Sequence, residues 1–221
     1  MHNNVDRLIT IQKEIQLKLL KNKNFTKIPQ IIAVSKTFSM GDILPLINYG
    51  HIHFGENKIQ EAIEKWENIK YDFKYINLHM IGKLQTNKVK YAISLFDYIH
   101  SLDSLKLAEK ISNEQLKQNK KVKIFIQVKI SEEEQKSGIL ISEVKNFYKK
   151  CIETFDLNIV GFMCLPPNNV DVSSYFSKME NLINDVDLDE LSMGMSNDYL
   201  EAIKFQSTYL RIGSKIFGSR S

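Results

Sequence analysis

The chain has few cysteines and no long apolar segment. Its 221 residues include only two cysteines, Cys151 and Cys164, which lack the spacing of a metal site and are too few for a disulfide framework. No apolar run approaches the ~20 residues of a membrane-spanning helix. The N-terminal residues also lack the apolar core of a signal peptide. The sequence therefore predicts a protein of the reducing cytoplasm, with no membrane as a partner.

The motifs of several common catalytic sites are also missing. There is no Walker motif, no strand-linked GxGxxG and no GxSxG elbow. Histidine, cysteine and carboxylate residues do not occur at metal-ligand spacing, so we expect no bound metal. The net charge of +4 arises from 30 basic and 26 acidic residues scattered along the chain, which argues against nucleic acid as a partner.

Short apolar runs alternate along the chain with longer amphipathic segments. The runs, rich in β-branched and aromatic residues, cover 31–35, 51–54, 77–81, 98–100, 122–128, 159–163, 191–193 and 209–212. The helical patterns cover 41–48, 57–66, 86–95, 104–119, 141–154, 173–185 and 198–205, and a brief helix follows Ser214. Eight such steps predict an α/β fold, a single (β/α)₈ barrel formed by residues 1–221. A doubly wound sheet is the alternative, because periodicity does not distinguish a closed sheet from an open one.

The first 25 residues carry a helical stripe that precedes the first predicted strand. The apolar positions of this stripe are Val5, Leu8, Ile11, Ile15 and Leu19. We therefore expect an extra N-terminal helix over residues 1–25, packed on the barrel.

Glycines and chemically capable side chains concentrate in the turns that follow predicted strands. The glycines are Gly55, Gly82, Gly194 and Gly213. The polar residues of these turns are Lys36, Asn57, Gln85, His100, Ser196, Arg211 and Ser214. In a barrel these turns share one face, which is the face where active sites are built.

The segment from Leu191 to Arg220 predicts two successive cups for a phosphate. Each cup places a glycine and a hydroxyl where a strand passes into a helix, and backbone N–H groups at such a place bind anions. Ser196 and Ser214 either cap the helices or bind the phosphate, and the two roles are compatible. Arg211 binds a phosphate or donates to a ring nitrogen, with a salt bridge at the rim as the alternative.

Lys36 ends the first predicted strand and points toward the barrel mouth, where a lysine amine can add to a carbonyl. A solvated lysine at a strand end is the alternative. Asn57 is placed to bind a ring hydroxyl or a carbonyl, while Glu56 is expected to support the start of the next helix. His79 and His100 are expected to be hydrogen-bonded structural residues and not ligands.

Taken together, these motifs resemble those of the pyridoxal phosphate homeostasis proteins, which are similar to the N-terminal barrel of alanine racemase. The resemblance lies in Ala33-Val34-Ser35-Lys36-Thr37, Phe54-Gly55-Glu56-Asn57, the block from His79 to Lys88, His100-Ser101-Leu102-Asp103, Lys136-Ser137-Gly138-Ile139, Gly161-Phe162-Met163 and the block from Leu191 to Gly218. The matching motifs occur in the same order along the chain, from the first predicted strand to the C-terminal block.

The resemblance implies that pyridoxal 5′-phosphate (PLP) is bound as a Schiff base to Lys36. It implies a phosphate held by Ser196, Gly213 and Ser214. It places Arg211 near the pyridine nitrogen and Asn57 in the lining of the pocket.

The resemblance also bears on whether the protein is an enzyme. An arginine at the ring nitrogen weakens PLP as an electron sink, and a racemase needs a second acid or base on the opposite face of the substrate. Because the eight strands occupy the chain, we expect no second catalytic domain, and no catalytic residue is assigned. The expected function is PLP binding and supply by a monomer in transient contact with apo-enzymes. An amino-acid racemase is one alternative, and a barrel that binds another phosphorylated metabolite without covalent linkage is the other.

Overall fold

The structure, a computed structural model, describes residues 3–21, 27–131, 137–167 and 170–218. Residues 1, 2 and 22–25 of the predicted N-terminal helix, Lys136 of the resemblance and residues 219 and 220 of the predicted phosphate-cup segment lie outside these ranges.

Eight parallel strands close into a barrel. They are β1 (Gln30–Val34), β2 (His53–Glu56), β3 (Asn77–Met80), β4 (Tyr98–Leu102), β5 (Lys123–Lys129), β7 (Ile159–Cys164), β8 (Glu190–Met195) and β9 (Tyr209–Ile212), while a two-residue strand β6 (Ile139–Leu140) pairs with β5 at the edge of the described sheet. Each barrel strand pairs with its neighbour in sequence, and β1 pairs with β9 to close the ring. The predicted barrel is therefore confirmed, and the doubly wound alternative is wrong. The short β6 is an element that the sequence pattern did not predict.

Helix α1 (Asn3–Leu20) precedes β1, and the other helices follow the barrel strands as the periodicity predicts. They are α2 (Met40–Asn48), α3 (Ile59–Asp72), α4 (Val89–Leu95), α5 (Leu105–Gln118), α6 (Val144–Glu153), α7 (Ser173–Asn184), α8 (Tyr199–Ala202) and α9 (Ser214–Phe217). Short 3₁₀ turns occupy the predicted first residues of α4 and α6 and the residues after α8. The differences from prediction are at helix ends, where local propensity is weakest as a guide.

Helix α1 packs with its apolar stripe toward the barrel. Val5, Leu8, Ile11 and Ile15 are buried. Asn4 donates to the carbonyl oxygen of Asp42 in α2 at 3.1 Å, and Arg7 donates to that of Ile216 in α9 at 3.4 Å. The N-terminal helix is thus joined to the helix that follows the last strand.

The inside of the barrel is aromatic and polar. Ile32, Tyr98, Phe125, Met163 and Tyr209 form a cluster there that is separate from the larger core under the helices. Three buried histidines contact these rings: His53 and His79 meet Tyr98, and His100 stacks on Phe125 with ring centres 4.3 Å apart. A barrel filled in this way carries groups that titrate near neutral pH in the unfolded chain.

The free energy of unfolding is therefore expected to fall as the pH is lowered below neutrality. Burial lowers the pKa of His51 and of His53 to about 4, and lowers those of His79 and His100 well below the ordinary value of 6.5. These histidines bind protons more readily in the unfolded state, so the stability they confer is complete above pH 6.5 and is lost as the pH falls toward 4. For His51 and His53, whose pKa values fall from 6.5 to about 4, this amounts to roughly 3 kcal/mol each.

Urea unfolding at pH values of about 7, 6 and 5 measures this dependence, in a range where most carboxylates stay ionised. A His53→Asn variant is expected to show a shallower dependence than the wild type. Equal stability of the wild type at the highest and lowest of these pH values would contradict the prediction.

Candidate functional site

One cavity of about 1040 Å³ opens at the carboxyl ends of the barrel strands. Its lining includes all six of the predicted binding residues: Lys36, Asn57, Ser196, Arg211, Gly213 and Ser214. Of the other polar residues predicted for these turns, Gln85 and His100 are not among the residues that line it. Parallel strands that all end at one rim bring together side chains from opposite ends of the sequence.

The turn that carries Lys36 is held in place by α3. The next residue, Thr37, has a φ of +70°, a backbone conformation that non-glycine residues rarely adopt. Its N–H donates to Glu61 at 2.5 Å, and the amine of Lys65 donates to the carbonyl oxygens of Ser35 at 2.9 Å and Phe38 at 3.4 Å. These contacts fix the backbone on both sides of Lys36.

Glu56 does not support the start of a helix, contrary to the prediction, because it belongs to the end of β2 and is fully buried. Its carboxylate accepts hydrogen bonds from the hydroxyl of Ser35 at 2.7 Å and from the indole of Trp66 at 3.0 Å, and pairs with Lys65 at 2.7 Å. The carboxylate therefore links β1, β2 and α3 beneath the turn that carries Lys36. The sequence showed the residue but not its partners, which come from two separate segments, the end of β1 and α3.

Asn57 presents an acceptor to the cavity. Within the described part of the chain, its side-chain oxygen Oδ1 is buried and has no hydrogen-bond partner. A buried oxygen of this kind is costly unless a donor reaches it. A ligand hydroxyl in the cavity meets that requirement.

Gly82 lies directly against the backbone of Asn57, and Gly82→Ala is expected to weaken both folding and ligand binding. A Cβ at residue 82 would lie 2.3 Å from the backbone oxygen of Asn57, so the Asn57 backbone must move. We expect a loss of stability of about 1–3 kcal/mol and a weaker affinity for PLP. Thermal unfolding and a PLP titration measure the two effects.

Gly41→Ala is the matched control for this prediction, because a Cβ at residue 41 would meet only the Ser39 hydroxyl, at 3.4 Å. Its stability should be unchanged or higher, since alanine is the better helix former. Equal behaviour of the two variants would contradict the role of Gly82.

The two predicted phosphate cups lie side by side and share one hydroxyl. The Ser196 oxygen accepts hydrogen bonds from the backbone N–H groups of Gly213 and Lys215, each at 3.3 Å. In the other cup Gly194 has a φ of +89° and leaves no room for a Cβ beside Ala202. Backbone donors that converge on an oxygen at the start of α9 are chemically suited to a phosphate oxygen.

Arg211 is buried beneath the cavity and does not form the rim salt bridge that was the alternative. Its guanidinium donates to the carbonyl oxygen of Ser192 at 2.5 Å, to the Ser192 hydroxyl at 2.7 Å and to the carbonyl oxygen of Cys164 at 2.8 Å. Burial lowers the pKa of this guanidinium. Because arginine pKa values are so high, the group stays charged at neutral pH.

His79 and His100 are hydrogen-bonded and buried, in agreement with the structural role predicted for them. They bond to each other, and His79 also bonds to His53, which the sequence analysis did not single out. The available signal was the recurrence of histidine in three neighbouring strands. No group of three or more histidine, cysteine or acidic side chains in the described ranges is arranged to hold a metal ion.

A closed (β/α)₈ barrel with a lysine after its first strand and glycine-serine turns after its last two strands defines a class of cofactor-binding barrels. A sequence profile for the alanine racemase N-terminal domain matches residues 14–221. A pyridoxal phosphate homeostasis protein of Aquifex aeolicus is 34% identical over 228 residues, covering 99% of this chain and 99% of the relative. The chain therefore belongs to the pyridoxal phosphate homeostasis proteins, a family with the alanine racemase N-terminal fold.

Solved structures agree with this membership. The PipY protein of Synechococcus elongatus, solved with PLP bound, superposes with a TM-score of 0.80 at 30% identity, covering 94% of this chain and 100% of PipY. The alanine racemase of Clostridium difficile has a TM-score of 0.68 at 12% identity, and the match covers 57% of that enzyme. At this identity the racemase shows the shared fold alone. Among the described helices, none is both long and apolar enough to cross a membrane.

Proposed function

We propose that this protein binds PLP in the barrel cavity, holds it as a Schiff base on Lys36 and serves PLP homeostasis and supply in the cytoplasm. The observation that carries the proposal is the convergence of Lys36, Asn57, Arg211 and both phosphate cups on one cavity. The PLP-bound PipY structure, at 30% identity, supports the same ligand. The cytoplasmic location is supported by two free cysteines, both buried.

The chemistry of the lining fits the separate parts of PLP. The unpartnered Oδ1 of Asn57 accepts from a ring hydroxyl, and the N–H groups around the Ser196 oxygen suit a phosphate. Arg211, held from below by Ser192 and Cys164, offers a donor to the ring nitrogen. When bound, PLP supplies an aldehyde that condenses with a lysine amine to a C=N bond with release of one water. Lys36 provides that amine.

Carrier behaviour is favoured over strong catalysis because of the charge on Arg211. PLP enzymes that rely on the ring as an electron sink use a carboxylate to keep the ring nitrogen protonated. A buried guanidinium at that place disfavours the protonated nitrogen instead. In our proposal the protein is a monomer that releases PLP through transient contact with apo-enzymes.

The test is reduction of the PLP-incubated protein with borohydride, followed by mass spectrometry of its peptides. The expected result is a visible absorption band that borohydride removes, with one reduced pyridoxyl group on the peptide that contains Lys36. Absence of any band or adduct would refute the proposal. A separate incubation with common amino acids in deuterated solvent is expected to show no exchange at the α-carbon, and exchange would favour the racemase alternative.

A further inference from the structure

A line of hydrogen bonds crosses the barrel interior, starting from Arg211. The guanidinium donates to the Ser192 hydroxyl at 2.7 Å, and that oxygen lies 2.9 Å from Nδ1 of His100. Nε2 of His100 lies 2.9 Å from Nδ1 of His79, and Nε2 of His79 lies 2.9 Å from Nδ1 of His53. All five side chains are buried. We refer to Ser192, His100, His79 and His53 as the histidine chain.

The direction of this line follows from the donors and acceptors. A guanidinium only donates, so the Ser192 oxygen accepts from Arg211 and uses its single hydrogen for Nδ1 of His100. His100 then carries its proton on Nε2 and donates to His79, which in turn donates from Nε2 to His53. Each histidine is neutral in this arrangement, which agrees with the lowered pKa values of all three.

The direction has an electrostatic consequence for Arg211. Every hydrogen in the line points away from the guanidinium, so each bond dipole turns its negative end toward the positive charge. Hydrogen bonds linked in this way polarise one another in a low-dielectric interior. The guanidinium, which is desolvated, gains stabilisation for its charge and one fixed orientation.

We propose that Ser192 and His100 are positioning residues that hold Arg211 charged and oriented toward the PLP ring nitrogen. This inference rests on the proposed function, since PLP is the ligand that Arg211 faces. The two residues act through Arg211, and neither His100 nor Ser192 lines the cavity. A barrel core that merely needed filling would not require a line of bonds with a single direction.

The first test is NMR of the histidine ring nitrogens in the protein without added PLP. The expected result is that His53, His79 and His100 are all neutral at neutral pH, with the proton on Nε2. A proton on Nδ1 of His100, or a charged His100, would overturn the proposal. Because no PLP is needed, this outcome is independent of whether the proposed function is correct.

The second test is the pH titration of the visible band of the PLP-loaded protein. His100→Phe keeps a ring against Phe125 but removes the acceptor for Ser192, and Ser192→Ala removes the single oxygen that joins His100 to Arg211. Each is expected to move the midpoint of the titration by about one pH unit, a tenfold change in proton affinity. His100→Asn keeps an acceptor near the place of Nδ1, so its titration midpoint is expected to lie close to that of the wild type.

Ser192→Ala is the smaller change and provides the answer if His100→Phe does not fold. An unchanged midpoint in Ser192→Ala, or equal midpoints for the folded Phe and Asn variants, would overturn the positioning role. A wild type that forms no visible band refutes the proposed function, and with it the part of the inference that concerns PLP. The NMR result then still decides the direction of the histidine chain.

Discussion

Lys36→Ala is expected to abolish covalent retention of PLP. Of the described residues that line the cavity, Lys36 is the one with a primary amine, so no other group there can form the C=N bond. The visible band and the borohydride-trapped adduct should both disappear. The phosphate cups and Asn57 remain, so weak binding should persist with an affinity reduced by about 100-fold, or ~2.7 kcal/mol.

Lys83→Ala is the control for this change, because Lys83 is an exposed lysine that follows β3 at the same end of the barrel. It should retain the full band and the adduct. An adduct of equal yield in Lys36→Ala would show that another amine is used and would contradict the assignment. Equal affinity of wild type and Lys36→Ala for PLP would favour the non-covalent alternative.

Lys65→Met is expected to have the largest effect on stability, at about 3–5 kcal/mol, because it leaves the buried Glu56 carboxylate without its ion-pair partner. The same change removes the donors to the carbonyl oxygens of Ser35 and Phe38, so the left-handed Thr37 loses part of its support. We therefore expect slower formation of the Lys36 adduct as well as easier unfolding. Urea unfolding followed by Trp66 fluorescence suits the measurement, because this single tryptophan bonds to Glu56.

Two further variants separate the ion pair from other effects of Lys65→Met. Lys58→Met changes an exposed lysine just before α3 and should cost little. Adding Glu56→Gln to Lys65→Met removes the unpaired charge and should recover part of the lost stability. If Lys65→Met were no less stable than Lys58→Met, the ion pair would not be the support that the geometry indicates.

The barrel itself was predictable because its signals are local. Each strand is a short apolar run and each helix an amphipathic segment, so their order along the chain was enough to count eight steps. The ends of α4, α6 and α8 were predicted less accurately, because 3₁₀ turns and α-helical turns share much of their sequence preference. The two-residue β6 was missed because its pairing with β5 depends on a distant partner.

The topology also made it predictable that the candidate site residues lie close together. Residues that directly follow parallel strands must lie at one rim, so Lys36 and Arg211 share a cavity although they are far apart in sequence. The binding roles of these residues stay predictions. The borohydride experiment and the Lys36→Ala variant test them. Glu56 is the exception, since its position after a predicted strand suggested support for the start of the next helix, whereas its partners are Ser35, Lys65 and Trp66.

The sequence by itself determined the barrel, the extra helix and the set of side chains at its open end, because these follow from spacing and from the common direction of the strands. Only the tertiary structure decided what supports that end: the Glu56–Lys65 pair beneath Lys36 and the histidine chain beneath Arg211. Such contacts join residues as distant as His100 and Ser192, which are 92 positions apart. Their geometry depends on how far each side chain reaches into a closed barrel, and no local pattern in the chain encodes that distance.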